Sequence, residues 1–78
     1  MANAFSRLKR VLVAHKLSVP ELHRRIQRRG LRVNVKSLYR LADEHKPLER
    51  LDLRVAGAIC QVCDVPISEL ITFETGRP

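Results

Sequence analysis

From Val33 to Glu44, VNVKSLYRLADE, apolar residues return at helical spacing while the cations collect on the opposite side. Stepping about 100° per residue, Val35, Leu38, Leu41 and Ala42 share one face. Lys36 and Arg40 share the other, with Ser37 and Tyr39 on the flanks. The apolar face belongs to a core. The basic face calls for a partner that a core cannot supply.

The rest of the chain divides into short helical blocks bounded by start and stop signals, which predicts a single domain over residues 1–78. A first helix is expected over about 4–15, with Phe5, Leu8, Val11 and Leu12 as its stripe and Arg7, Lys9 and Arg10 in water. A break follows at Lys16–Leu17. Ser18-Val19-Pro20-Glu21 then reads as a capping box with proline in the first turn, where its missing N–H is harmless. The second helix, 18–29, turns Val19, Leu22 and Ile26 inward and Arg24 and Arg28 outward, and Gly30 ends it. In the connection LRVN, Leu31 plugs the core and Asn34 caps the third helix, 34–44. Lys36 in that first turn opposes the helix macrodipole, a hint of an anion nearby. After the loop HKPLER, closed by Pro47, Asp52 caps a fourth helix over 52–63. Leu53, Ala56, Ile59, Cys60 and Cys63 are expected inward, with Gly57 allowing close approach of another helix. Pro66 opens a fifth helix, 66–73, in which Leu70, Ile71 and Phe73 need cover, and the tail 74–78 is expected to fray.

Three Gly, four Pro and an apolar palette of mostly Leu, Val, Ile and Ala suit an all-α bundle of these five helices. At 78 residues its core is marginal. Fifteen Lys/Arg against eight Asp/Glu leave a net charge of +7, which implies a polyanionic partner. The distribution is more telling. Between Glu21 and Asp43 there is no carboxylate, yet Arg24, Arg25, Arg28, Arg29, Arg32, Lys36 and Arg40 lie there.

Two short helices joined by a turn, each apolar inside and basic outside, describe a helix-turn-helix unit. Such a third helix is narrow enough for the major groove of B-DNA, with the second lying across the backbone. Arginine suits both tasks, since it neutralises phosphate and can clamp guanine through two hydrogen bonds.

The order of LSVPEL, VKSLYRLAD and LDLRVAGAICQVCDVPISELITFE, spanning Phe5 to Glu74, resembles the Cro/repressor-type (XRE-like) helix-turn-helix family. The resemblance implies a lambda-repressor-like bundle and a transcriptional regulator of double-stranded DNA; a homodimer is expected because one such domain reads only a few base pairs. It makes Asn34, Val35, Lys36, Ser37, Tyr39 and Arg40 the base-reading set and brings Ser18 and Val19 to phosphate. His45, Lys46 and Arg50 would approach the other side of the groove. Arg24, Arg28 and Arg32 complete the cationic face, and Leu70, Ile71 and Phe73 would form the dimer interface. Two departures stand out. The stretch from Ile26 to Val35 is several residues longer than the family's tight turn, so either the second helix is extended or the loop bulges. His23 also replaces the small residue usual after the leucine of the second helix.

Other motifs carry less. Cys60-Gln61-Val62-Cys63 has the Cys-x-x-Cys spacing of redox and metal sites. Yet it falls at core positions of a helix, where cysteine acts as a small hydrophobe, and His15, His23 and His45 show no ligand spacing. Neither a metal nor a cofactor is expected. Tyr39 suits both the core edge and a phosphate. No nucleophile-and-base grouping stands out, so the chain is not expected to be an enzyme. Without an apolar run of ~20 residues or a signal-peptide h-region, it is expected in the cytoplasm with reduced thiols. Membrane binding is disfavoured because no Trp or Phe anchors flank the basic faces. The alternative partner is a protein docked on the apolar last helix, as in an antitoxin-like or prophage accessory protein.

Overall fold

A computed structural model describes residues 2–75. In order, the elements are β1 (Ala2–Ser6), α1 (Leu8–His15), α2 (Val19–Arg28), α3 (Val35–Ala42), α4 (Leu53–Cys63), α5 (Ile67–Leu70) and β2 (Ile71–Thr75). The helix starts follow the side-chain signals. Ser18 and Glu21 form a reciprocal capping box on α2. Asn34 Oδ1 accepts the Lys36 N–H at 2.9 Å, and Asp52 Oδ1 accepts the Arg54 N–H at 2.9 Å.

Helix ends are closed by backbone. Leu31 N–H donates to the Ile26 carbonyl (3.3 Å) and Gly30 N–H to Gln27 (2.9 Å), while Leu17 and Lys16 bond back in the same way to Leu12 and Val13. These paired bonds require a left-handed residue within two positions past the helix. Gly30 supplies it with φ 76° and Lys16 with φ 54°.

The core gathers Leu8, Val11 and Leu12 of α1, Val19, Leu22 and Ile26 of α2, and Leu38 and Leu41 of α3. Val55, Ala56, Ala58, Ile59 and Cys63 of α4 complete it with Leu70 of α5. The helix α2 packs against α3 and α4, and α1 against α3 and α5. Leu31 plugs this core from the turn, as its position suggested.

Two expectations fail at the chain ends. The first helix begins at Leu8, not Ala4, because Ala2–Ser6 is a strand paired antiparallel with β2, Ala4 opposite Phe73 and Phe5 opposite Thr72. The spacing of Phe5, Leu8 and Leu12 imitates a helical stripe, but Phe5 is a half-buried strand residue. Buried Ser6 marks the switch, its Oγ accepting the Leu8 N–H at 3.1 Å. The fifth helix stops at Leu70, because β-branched Ile71 and Thr72 and aromatic Phe73 favour the pleated strand that β1 receives. Among the described residues the fold is therefore five helices plus a two-stranded sheet rather than all-α. Leu70, expected on a dimer surface, is fully buried. Of the tail expected to fray, Glu74 and Thr75 belong to β2, and 76–78 lie outside the described residues.

The fourth helix needs two corrections. Leu53 is 78% exposed at the first turn, and Val55 and Ala58 turn inward instead. Gly57 is exposed, and a Cβ there would meet nothing within 4 Å, so no close helix approach depends on it. No helix among the described residues is long and apolar enough to cross a membrane.

On its other side β1 bonds the loop, Leu48 N–H donating to the Ala4 carbonyl at 2.6 Å. Thus β1 is flanked on both sides. Among the described residues, β1 is the one strand neighbour of β2.

Candidate nucleic-acid interface

The cationic side is built on α2 and α3, whose apolar faces meet in the core. On α2 the buried positions Val19, Leu22 and Ile26 leave Arg24 and Arg28, four residues apart, on one exposed face. Arg25 is exposed too but lies close enough to α4 for its charge to act on Cys63. On α3, burial of Leu38 and Leu41 leaves Lys36, Tyr39 and Arg40 exposed at helical spacing. Asn34 and Arg32 are exposed just before α3, whereas Val35 and Ser37 are half-buried. Tyr39, with two environments open to it in the sequence, is 54% exposed and stands beside Arg40 rather than in the core.

The start of α2 offers phosphate less than its sequence suggested. Ser18 is exposed, but its hydroxyl is engaged. Ser18 Oγ accepts the Glu21 N–H at 3.3 Å and donates to Glu21 Oε1 at 3.0 Å, while Ser18 N–H donates to the same carboxylate at 3.2 Å. The Ser18 hydroxyl, then its amide, hold the Glu21 carboxyl below its ordinary value, with Arg24 and Arg25 adding to the effect. Val19 is buried, so its side chain cannot reach a phosphate. Its backbone N–H, at the first helical position, is the group left to do so.

The loop after α3 divides its cations between two clefts. Tyr39, Arg40, Asp43, Lys46 and Arg50 line an open groove of about 560 Å³, which continues the α3 surface. His45 is not in it. Instead it lines a neighbouring cleft with Arg7 and Arg10, among Glu44 and Glu74. Asp43 Oδ1 accepts the His45 N–H at 3.1 Å and fixes this turn of the loop. The expected trio of His45, Lys46 and Arg50 is thus separated. The association of Arg7 and Arg10 with His45 was invisible in sequence, because it depends on where α1 begins.

The extended turn is resolved in favour of the loop. The helix α2 stops at Arg28, and Arg29–Asn34 cross to α3 without a further helical turn. Here His23 takes a part that its sequence position only hinted at. Its Nε2–H donates to the Val33 carbonyl at 2.9 Å, in a part-buried bond from α2 to the turn.

The two cysteines face inward on α4, Cys63 buried and Cys60 half-buried, both as free thiols. Burial pushes both thiols up, with the Arg25 charge opposing this at Cys63. Such thiols are poor nucleophiles and poor metal ligands at neutral pH. Among the described residues no three His, Cys, Asp or Glu side chains are grouped to hold a metal ion.

The model of one family, the Cro/C1-type HTH DNA-binding domain, matches residues 7–76 and so begins just after β1. No curated protein and no solved structure matches the chain.

Proposed function

The chain belongs to the Cro/C1-type HTH DNA-binding domain family, and from that premise we propose that it is a sequence-specific transcriptional regulator that seats α3 in the major groove as one half of a dimer. One observation carries this reading. The cations Arg24, Arg28, Arg32, Lys36 and Arg40 are all exposed on two helices packed together and the turn that joins them. Along the chain no carboxylate lies between Glu21 and Asp43, the stretch that carries all five.

In this reading Asn34, Lys36, Ser37, Tyr39 and Arg40 meet base edges, with Val35 beside them. Arg24 and Arg28 neutralise phosphates on one side, and Lys46 and Arg50 do so on the other. Arg32 tracks the backbone from the turn. A bound phosphate near Lys36 would also relieve the unfavourable placement of a cation in the first turn of α3. Supporting a dimer are the edge of β2 that pairs with no strand among the described residues and Phe73, 72% exposed on that strand. Exposed strand edges with apolar side chains are pairing surfaces unless something covers them. Ile71, half-buried, continues this surface.

Docking of a different protein on the last helix has little to stand on. That helix is four residues long and its Leu70 is inside the core.

Selection from a randomised duplex library tests the reading. A palindrome with half-sites about 34 Å apart is the expected product. Recovery of unrelated sequences at the same frequency as the input would reject specific recognition.

A further inference from the structure

The turn between α2 and α3 is long, and its second half is held by packing of Val33 against the core and by few hydrogen bonds. Its first half is secured by the bonds from Gly30 and Leu31 back to Gln27 and Ile26. Its end is secured by the Asn34 cap on Lys36. Between them, among the described residues, one hydrogen bond ties Arg32–Val33 to a helix, and it comes from His23. His23 is half-buried on α2, one residue past fully buried Leu22, so its ring is anchored at one end by the packed helix. The acceptor, the Val33 carbonyl, immediately precedes the Asn34 cap.

We propose that His23 is a positioning residue for DNA recognition: its hydrogen bond to Val33 fixes the turn and thereby aims Asn34 and the first turn of α3. The proposal rests on the reading of α3 as the recognition helix. The physical reason is a matter of leverage. Packing of Val33 alone is not directional, so without the hydrogen bond a turn of this length lets the α3 N-terminus shift relative to α2, and both helices must contact one duplex at once. Base contacts need positions held to about 0.5 Å, whereas phosphate contacts position the protein without reading sequence. Loss of the clasp therefore acts on discrimination more than on total affinity. The Val33 carbonyl can only accept, so the side chain at position 23 must place a donor at that distance from the backbone of α2. Glutamine does so; phenylalanine keeps the ring and loses the donor.

The test uses the full chain with His23→Phe and His23→Gln. Two quantities are read: amide hydrogen exchange over Leu31–Lys36, without DNA, and the ratio of affinities for the library-selected duplex and a scrambled duplex. His23→Phe is expected to speed exchange at Arg32, Val33 and Asn34 and to lower the ratio about three- to tenfold. Affinity for the scrambled duplex should change by less than about twofold. His23→Gln should restore both quantities. His23→Ala, which brings no ring into the turn, carries the same expectation as His23→Phe should the larger side chain unfold the domain. Unchanged exchange in the Phe and Ala variants overturns the clasp. Faster exchange with an unchanged ratio overturns its role in recognition. A wild-type chain that does not distinguish the two duplexes overturns the recognition-helix reading itself, a failure seen before any variant is made.

Discussion

Arg40 and Leu41 are neighbours with opposite surroundings, one exposed at the mouth of a groove and the other in the core. At this scale the account is about which atoms each side chain leaves free. Arg40 leaves a whole guanidinium, able to form two parallel bonds to guanine. Replacing it with Ala should weaken binding to the selected duplex by about 1–3 kcal/mol and relax discrimination at one base position. Equal loss on every duplex, measured by fluorescence anisotropy, would make it a phosphate contact instead. Ser18 is the contrary case, an exposed hydroxyl already spent on structure. Because Ser18 holds the Glu21 carboxyl below its ordinary 4.5, the charged form is favoured by folding. Its stabilisation is complete above 4.5 and disappears as pH falls through the lower, folded-state value. Removing the cap with Ser18→Ala should lower stability by about 1 kcal/mol at neutral pH. It should also flatten the acid limb of the denaturation profile below that pH. A parallel profile, merely displaced, would show that the carboxylate does not depend on Ser18.

At the scale of elements, two surfaces have separable duties. The outer face of α2 is assigned to phosphates. Arg24→Ala with Arg28→Ala should therefore reduce affinity alike on all duplexes and shrink the log–log salt slope by about 1.8, roughly 0.9 for each phosphate released. An unchanged slope would remove α2 from the interface. The ribbon of β1 and β2 is assigned to self-association. Here Leu70 and Phe73, three residues apart, should respond differently, since Leu70 is fully buried and Phe73 is 72% exposed. Leu70→Ala should cost about 2–5 kcal/mol of folding stability. Phe73→Ser should leave the melting temperature nearly unchanged and shift sedimentation towards monomer. A Phe73→Ser chain that associates as the wild type does would take the ribbon out of the dimer.

Across the whole molecule, legibility followed the range of the interaction. The helices α2, α3 and α4 were readable because caps and stripes act within a few residues, as Ser18 with Glu21 and Leu38 with Leu41 do. The sheet was not, since β1 and β2 come from opposite ends of the chain and Ala2–Ser6 has no strong strand former besides Phe5. With the Phe5 spacing imitating a helix, Leu70, Ile71 and Phe73 have no strand to pair with in the sequence pattern and read as helix too. The candidate site divides along the same line. The exposure of Arg24, Arg28, Lys36 and Arg40 follows from helical period alone. The separation of His45 from Lys46, and the bond from His23 to Val33, depend on loop paths that no local pattern encodes.

The central claim is that α2, the turn after it and α3 together form the face that meets DNA. Backbone amide chemical shifts, followed while the selected duplex is added, test it most directly. The largest changes are predicted over residues 18–19, 23–40 and 46–50, with α4 and β1 nearly still. Changes concentrated on the ribbon and α1, with α3 unmoved, would contradict it.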